Sequence, residues 1–140
     1  MSKLSQPQEL EAFLKETRLA MLLTNRADNA PIGVPVWFDW TGSAVEMFAA
    51  KNSAKIRRIQ ADPKVSVLVT NRVGEPEGWV AFDGRCEILH DGAGLLIERL
   101  GSRYWDLANA ELKNTLQNWV AAEASFVRLR VQPERTRVGH

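Results

Sequence analysis

The sequence contains little of what would mark a metal site, a disulfide scaffold or a membrane span. It has a single cysteine, Cys86, so a disulfide within the chain is excluded. Its two histidines, His90 and His140, lie far apart, and with one cysteine they do not form a zinc ligand set. No apolar run approaches the roughly 20 residues that a membrane-spanning helix needs.

The chain also lacks a large charge of either sign. A formal net charge of +1 gives no overall field that would attract nucleic acid or an anionic membrane, so any basic site must be local. The start, MSKLSQPQELEAF, has no apolar core of a signal peptide. Together with the lone cysteine, this leads us to expect a cytoplasmic protein.

What is present is the composition of one globular domain, which we place over residues 1–140. The chain is 45% hydrophobic and 25% charged, which is enough for one real core. Short β-branched and aromatic runs between turn signals predict about six strands. Helices are predicted near residues 6–17 and 53–61, and over 92–122 with a break near 101–109. This pattern indicates an antiparallel barrel or sandwich flanked by short helices.

Two positions within the predicted strands predict local irregularities. Pro35 lies inside the strand IGVPVWFDW and has no N–H group, which indicates an edge strand or a break in the hydrogen-bond ladder. Gly84 lies inside WVAFDGRCEIL and indicates a β-bulge or a close approach of two backbones.

The segment AAKNSAKIRRIQADPK is basic where a helix is predicted to begin. Because a helix N-terminus already carries partial positive charge, Lys51 and Lys55 are unfavourable there unless an anion binds. Free N–H groups, the hydroxyl of Ser53 at the expected N-cap and the Lys55 ammonium could then converge on one phosphate. Asn52 can adopt the turn that exposes those N–H groups.

The alternative for this segment is an ordinary solvated face on which Lys51 and Lys55 extend their charges into water. We interpret Arg57 and Lys64 in this way. Arg58 lies three residues after Lys55, on the same side of the helix, and could assist a phosphate.

A second candidate site is the apolar stretch Val34, Pro35, Val36 and Trp37. Backbone groups left free beside Pro35 could pair with the polar rim of a flat heteroaromatic ring. The alternative is that Trp37 and Phe38 are core residues, as strand aromatics usually are, and the same holds for Trp40 and Trp79. Since five tryptophans exceed what one barrel core requires, some could line a pocket or a subunit interface.

No side chains suggest nucleophilic or acid–base chemistry carried out by the protein alone. No histidine lies near Cys86 in sequence, and no paired carboxylates stand out. If the protein is an enzyme, a cofactor is expected to carry the reaction, and no catalytic side chain is assigned.

These motifs together resemble the pyridoxamine 5'-phosphate oxidase-like, FMN-binding split-barrel proteins, over roughly residues 13 to 90. The resemblance rests on the strand GVPVWF, the helix start SAKIRRI, and the segment DPKVSV that ends the helix and begins a strand. It implies a six-stranded antiparallel split β-barrel of Greek-key type, flanked by short helices. The end VRLRVQPERTRVGH does not match the arginine-rich substrate motif of the true oxidases, so oxidation of pyridoxamine phosphate is not expected.

The resemblance also implies a cofactor site at the interface of a homodimer. In such proteins the strand matching Val34 to Trp37 runs along the flavin ring, and the turn matching Ala49 to Ser53, which includes Ala50, follows the ribityl chain. The lysine matching Lys55 holds the phosphate. The partner subunit covers the ring with the strand matching Trp79 to Arg85, or with its helices. FMN is the expected cofactor, and some relatives use a deazaflavin instead.

The function expected from these features is oxidoreduction of a small unsaturated or heteroaromatic substrate by hydride transfer through the flavin. One alternative is a non-catalytic flavin carrier or electron-transfer module, and another is a deazaflavin-dependent reductase of the same fold. A more distant alternative is a nucleic-acid-binding β-barrel that uses Lys51 to Lys64 as a phosphate stripe. The near-zero net charge counts against that last reading.

Overall fold

The strands of this protein form one antiparallel sheet in a computed structural model that describes residues 2–139. The sheet has seven strands in the order β2-β1-β5-β6-β7-β4-β3. Their bounds are Ala20–Asn25 (β1), Pro31–Val36 (β2), Asp39–Trp40 (β3), Val45–Ala50 (β4), Lys64–Thr70 (β5), Trp79–Leu89 (β6) and Phe126–Gly139 (β7). The predicted antiparallel split-barrel class, mainly β with flanking helices, is confirmed.

Four α-helices flank this sheet: Pro7–Lys15 (α1), Ala54–Ala61 (α2), Ala93–Tyr104 (α3) and Ala110–Ala121 (α4). Two short 3-10 turns occupy Lys3–Ser5 and Glu123–Ser125. The predicted helices are therefore present, and the break expected near 101–109 separates α3 from α4. No helix between residues 2 and 139 is long and apolar enough to cross a membrane.

The prediction of six strands was wrong by one, because IGVPVWFDW forms two strands rather than one. β2 ends at Val36, and β3 begins only at Asp39. At the break, the backbone N–H of Phe38 donates to the Tyr104 hydroxyl oxygen at 3.2 Å. A side chain of α3 thus replaces a neighbouring strand as partner. The expected edge is confirmed, since β2 pairs only with β1 and Pro35 lies opposite Met21.

β7 continues through the polar C-terminal segment VQPERTRVG to Gly139. It pairs with β6 along the whole of that strand, with a register shift between Asp83 and Gly84. Arg137 extends the pairing through two hydrogen bonds to Asp83, of 2.6 Å and 2.8 Å. This register shift is the bulge expected at Gly84, and the backbones also approach closely there, since a Cβ on Gly84 would lie 2.8 Å from the carbonyl oxygen of Gln132.

The interior of the curved sheet holds the hydrophobic core. Alternate residues of β1, β4, β5 and β7 point inward, as the period of two requires. α2 joins this core through Ile56 and Ile59, which are 3% and 2% exposed. Cys86 lies in the same core, and burial raises the pKa of its thiol to about 12.

The outer face of β4 carries a buried charge that fixes α3 over the sheet. Glu46 is 5% exposed and lies within 4 Å of three arginines: Arg128 and Arg130 at 3.3 Å and Arg99 at 3.7 Å. Arg99 belongs to α3 and also pairs with Asp39. Because a buried carboxylate is stable only when paired, this cluster constrains where α3 and the aromatic side chains near its end can lie.

Candidate functional site

The start of α2 is held in place by its two buried isoleucines and by the turn before it. The backbone N–H of Ser53 donates to the Ala50 carbonyl oxygen at 3.0 Å, which closes a tight turn. The N–H of Lys51 donates to the Ser125 carbonyl oxygen, also at 3.0 Å, and ties the turn to the start of β7. The helix therefore begins at a fixed point beside the end of β4.

Ser53 occupies the predicted N-cap position, but its hydroxyl does not cap the helix. Its backbone is extended and no side-chain cap bond is formed. The Oγ atom is buried, and it has no hydrogen-bond partner among residues 2–139. A buried hydroxyl without a partner is unfavourable in the free protein, so a ligand that supplied a partner here would be stabilising.

Lys55 lies in the first turn of the helix, next to this hydroxyl in the sequence, and is half-buried. Burial lowers the pKa of its ammonium, and the nearby charge of Arg58 lowers it further. No carboxylate pairs with Lys55 or Lys51 within the described part of the chain, and the first turn contains no acid. Asn52 and Lys51 are exposed at the turn.

The two arginines of α2 take different positions. Arg58 is half-buried, and its Nε donates at 2.9 Å to the Thr24 hydroxyl, on a β1 residue that is 2% exposed. Arg57 is exposed, as is Lys64, and it donates to the Asn52 carbonyl oxygen at 2.8 Å. Arg58 is thus fixed on the side of the helix that faces β1.

One edge of β2, the strand predicted to meet a flat ring, has no neighbouring strand in the sheet. Pro31 and Pro35 lie an even number of residues apart, so their backbone nitrogens point to the same side of β2 in the plane of the sheet. Because proline is tolerated only where a strand has no ladder partner to receive its N–H, that side is the open edge. Val34 is partly buried and Val36 is in the core, so their backbones, rather than their side chains, are what this edge offers.

Trp37 belongs to an aromatic cluster outside the barrel. Its ring stacks on Tyr104 at 5.2 Å between centroids and meets Trp105 edge-on at 4.8 Å. Trp119 lies 6.0 Å away and Phe48 of β4 lies 6.1 Å away. We call these five residues, with Phe126, the aromatic cluster. It brings the end of β2 against β4, although the two strands do not pair.

Phe38 and Trp40 follow the core alternative, whereas Trp79 is half-buried and lies outside the core. Phe38 is fully buried, and Trp40 stacks on Phe82 at 4.8 Å while its Nε1 donates to Glu11. Trp37 itself is half-buried and not part of the barrel core.

The three remaining predicted site residues, Ala49, Ala50 and Trp79, differ in what they can offer a ligand. Ala49 is 5% exposed and its methyl group faces the core, whereas Ala50 is exposed, so Ala49 can meet a ligand only through its backbone. Trp79 begins β6, which is separated from β2 by β1 and β5. Three strand spacings amount to about 14 Å along the sheet, so Trp79 is not brought to the β2 edge of its own chain.

Sequence reasoning missed Thr24, Tyr104, Trp105 and Trp119. Thr24 had no signal, because its role depends on β1 lying beside α2. The tryptophans did have a signal, because their number exceeded the needs of the core, but no pattern indicated that Trp105 and Trp119 would contact Trp37.

Taken together, these residues fit a phosphate group. Three features lie within one turn of backbone: a buried hydroxyl without a partner, a half-buried ammonium without a carboxylate, and an uncapped helix start. Each of these is unfavourable alone, and a single oxyanion bound there would relieve all three.

The sequence profile of the pyridoxamine 5'-phosphate oxidase family matches residues 6–138. The chain belongs to this family. The match extends well beyond the part, roughly residues 13 to 90, on which the resemblance was based. No curated protein matches the sequence.

Solved structures of this family's fold superpose over nearly the whole chain. An F420 reductase is 24% identical with a TM-score of 0.73, covering 91% of this chain and 94% of its own. An FAD-binding protein from Mesorhizobium loti is 27% identical with a TM-score of 0.63, over 95% and 91%. The heme storage protein HutZ from Vibrio cholerae is 17% identical with a TM-score of 0.68, over 94% and 92%. The first and third similarities show the fold alone.

The unpartnered hydroxyl of Ser53 predicts an unusual response to substitution. We expect Ser53→Ala to leave the free energy of unfolding of the ligand-free protein unchanged, or to raise it by up to about 1 kcal/mol, because a buried polar atom without a partner is removed. Urea unfolding of protein stripped of small molecules measures this.

Asn109→Ala provides the matched control. The Asn109 side chain caps α4 by accepting from the N–H groups of Glu111 at 3.0 Å and Leu112 at 3.2 Å. Its removal should cost about 1 kcal/mol. If Ser53→Ala were destabilising to the same degree, the hydroxyl would be an ordinary cap.

Proposed function

We propose that this protein binds a flavin-type cofactor by its phosphate at the start of α2 and uses it to oxidise or reduce a small unsaturated or heteroaromatic substrate. The observation that carries the proposal is the buried, unpartnered Ser53 hydroxyl beside the uncompensated Lys55. Membership of the pyridoxamine 5'-phosphate oxidase family supports it. The family resemblance favours FMN, with a deazaflavin as the alternative, and similarity to an FAD-binding protein and an F420 reductase is consistent with a flavin-type cofactor.

Each part of the site has a task in this proposal. Ser53, Lys55 and the free N–H groups of the first helical turn hold the phosphate, with Lys51, Asn52 and Arg58 nearby. When bound, the cofactor supplies hydride transfer at its ring. Ala49 and Ala50 contribute backbone groups along the chain between phosphate and ring.

The β2 edge and the aromatic cluster would receive the ring and substrate. The backbone from Val34 to Trp37 offers hydrogen-bonding groups along an open strand edge, which suits the polar rim of a flat heterocycle. The half-buried rings of Trp37, Phe48 and Trp119 stand beside that edge and would exclude water from it. A planar, unsaturated substrate is the class that such an aromatic wall accommodates.

We further propose that the active form is a homodimer. Trp79 is too far across the sheet to reach the β2 edge of its own chain, but a second copy could bring it there. The outer face of β1, β5 and β6 supports this, because it holds a cavity of about 670 Å³ lined in part by Leu23, Leu68 and Trp79. Met21, which is 36% exposed, lies opposite Leu68 on the same face.

Lys55→Ala tests the phosphate site. We expect FMN to bind about 10- to 100-fold more weakly, because a charge-assisted hydrogen bond to the phosphate is lost. The dissociation constant is measured from the quenching of FMN fluorescence, and riboflavin, which lacks the phosphate, should respond little to the substitution.

Lys15→Ala is the control, since Lys15 is an exposed lysine on α1. Lys55→Arg adds a test of charge. In the wild-type protein, affinity for FMN should fall as the pH rises through the lowered pKa of Lys55. In Lys55→Arg this fall should be absent, because an arginine stays protonated. Unchanged FMN affinity in Lys55→Ala would contradict the phosphate role.

Turnover separates an enzyme from a carrier. With the cofactor bound, we expect steady-state oxidation of a reduced nicotinamide or equivalent donor when a panel of quinones and other conjugated acceptors is supplied. Reduction of the bound cofactor that is never followed by acceptor-dependent turnover would instead support the carrier or electron-transfer function.

Met21→Glu tests the dimer. A carboxylate placed on the apolar face of β1 should convert a dimer to a monomer in light scattering and weaken cofactor binding at the same time. Leu95→Glu is the matched control, because Leu95 is 73% exposed on α3, outside this face. A wild-type protein that is monomeric at micromolar concentration with cofactor bound would refute the dimer.

A further inference from the structure

A basic cavity lies between the β1–β2 hairpin and α2, outside the phosphate site proposed above. Its volume is about 660 Å³. The charged side chains that line it are those of Arg26, Arg57, Arg58 and Asp62. Ala54 and Ala61 also line it, so the cavity runs along α2 for about 10 Å from its first residue.

The three arginines of this cavity differ from most others in the chain. None of them lies within ion-pairing distance of a carboxylate of residues 2–139. Seven other arginines do form such pairs, namely Arg18, Arg72, Arg85, Arg99, Arg128, Arg130 and Arg137. Of the five arginines of residues 2–139 that form no ion pair, three therefore lie around this one cavity, and only Arg103 and Arg135 lie elsewhere.

The acids near this cavity are engaged elsewhere. The Asp62 carboxylate accepts hydrogen bonds at 3.1 Å from the Asn25 amide and from the backbone N–H of Lys64. Asp28, in the hairpin loop, accepts from the backbone N–H of Ala30 at 3.0 Å. Three guanidinium groups thus face one carboxylate that is already bonded, and the cavity has an excess of positive charge.

The guanidinium groups of α2 are also positioned. The Nε of Arg58 is anchored on the buried Thr24 hydroxyl, and one terminal nitrogen of Arg57 is anchored on the Asn52 carbonyl oxygen. Their remaining N–H donors make no hydrogen bond to residues 2–139. A planar group with free paired donors is the arrangement that binds phosphate or carboxylate oxygens.

We infer that this cavity receives a second anionic group of the bound cofactor, a phosphate or a carboxylate carried beyond the first phosphate. The inference rests on the proposed function. Arg58 connects the proposed phosphate site with the cavity, because it follows Lys55 by three residues and also lines the cavity. The cofactor that fits best is then longer than FMN. A flavin dinucleotide, through its second phosphate, and a deazaflavin with an acidic tail both have this chemistry.

Comparison of three cofactors tests the inference. Dissociation constants for FMN, FAD and F420 are measured by fluorescence for the wild-type protein and for Arg26→Gln. Arg26 makes no side-chain hydrogen bond to the described residues, so its loss should not disturb the fold, which thermal unfolding verifies. We expect FAD or F420 to bind at least about tenfold more tightly than FMN, and Arg26→Gln to reduce that advantage about tenfold while changing FMN affinity less than twofold.

Arg135→Gln is the matched control, with the same charge change on an exposed arginine of β7. The advantage of the longer cofactor should survive in it, and should disappear again in Arg57→Gln. A preference for FAD would identify the second group as a phosphate, and a preference for F420 would identify tail carboxylates.

The outcomes separate this inference from the proposed function. Binding of FMN with no preference for either longer cofactor, or a preference that persists in both Arg26→Gln and Arg57→Gln, would overturn the second anion site alone. Failure of all three cofactors to bind would overturn the proposed function, and this inference with it.

Discussion

Burial of Ile56 and Ile59 in the barrel core is the constraint on which the candidate site depends. These two side chains press one face of α2 against β1 and β4, so the helix can neither rotate nor slide without exposing them. Everything on its other faces is fixed as a result. Lys55 is held in the first turn, half out of water, and Arg58 is turned toward β1, where Thr24 receives it. Apolar packing thus holds together a group of like charges that repel one another.

The features that could be predicted from sequence are those set by local chemistry. A proline without its N–H placed β2 at an edge, Gly84 marked the bulge, and the basic start of α2 conflicted with the helix dipole. Each of these signals depends on a few neighbouring residues and on a backbone rule that holds in any fold. The family resemblance then supplied the arrangement of the strands, which periodicity alone left open between barrel and sandwich.

What could not be predicted depends on contacts between distant parts of the chain. The split between β2 and β3 requires Tyr104, 66 residues away, to bond Phe38. The extension of β7 requires the length of β6 and the carboxylate of Asp83. The sequence placed Ser53 at the N-cap with its hydroxyl available to a phosphate, but it could not show that this hydroxyl is buried and unpaired, unlike the side chain of Asn109, which caps its helix.

The single cysteine, noted first as a scarcity, has a practical consequence for work on this protein. Cys86 is 6% exposed, and burial raises the pKa of its thiol to about 12, so at neutral pH it is neither accessible nor ionised. The natural protein therefore presents no reactive thiol to the solvent from its described residues. A cysteine introduced in the β1–β2 hairpin or on α4 would be the one site that a maleimide probe modifies, and spectroscopic labels can be attached without first removing Cys86 from the core.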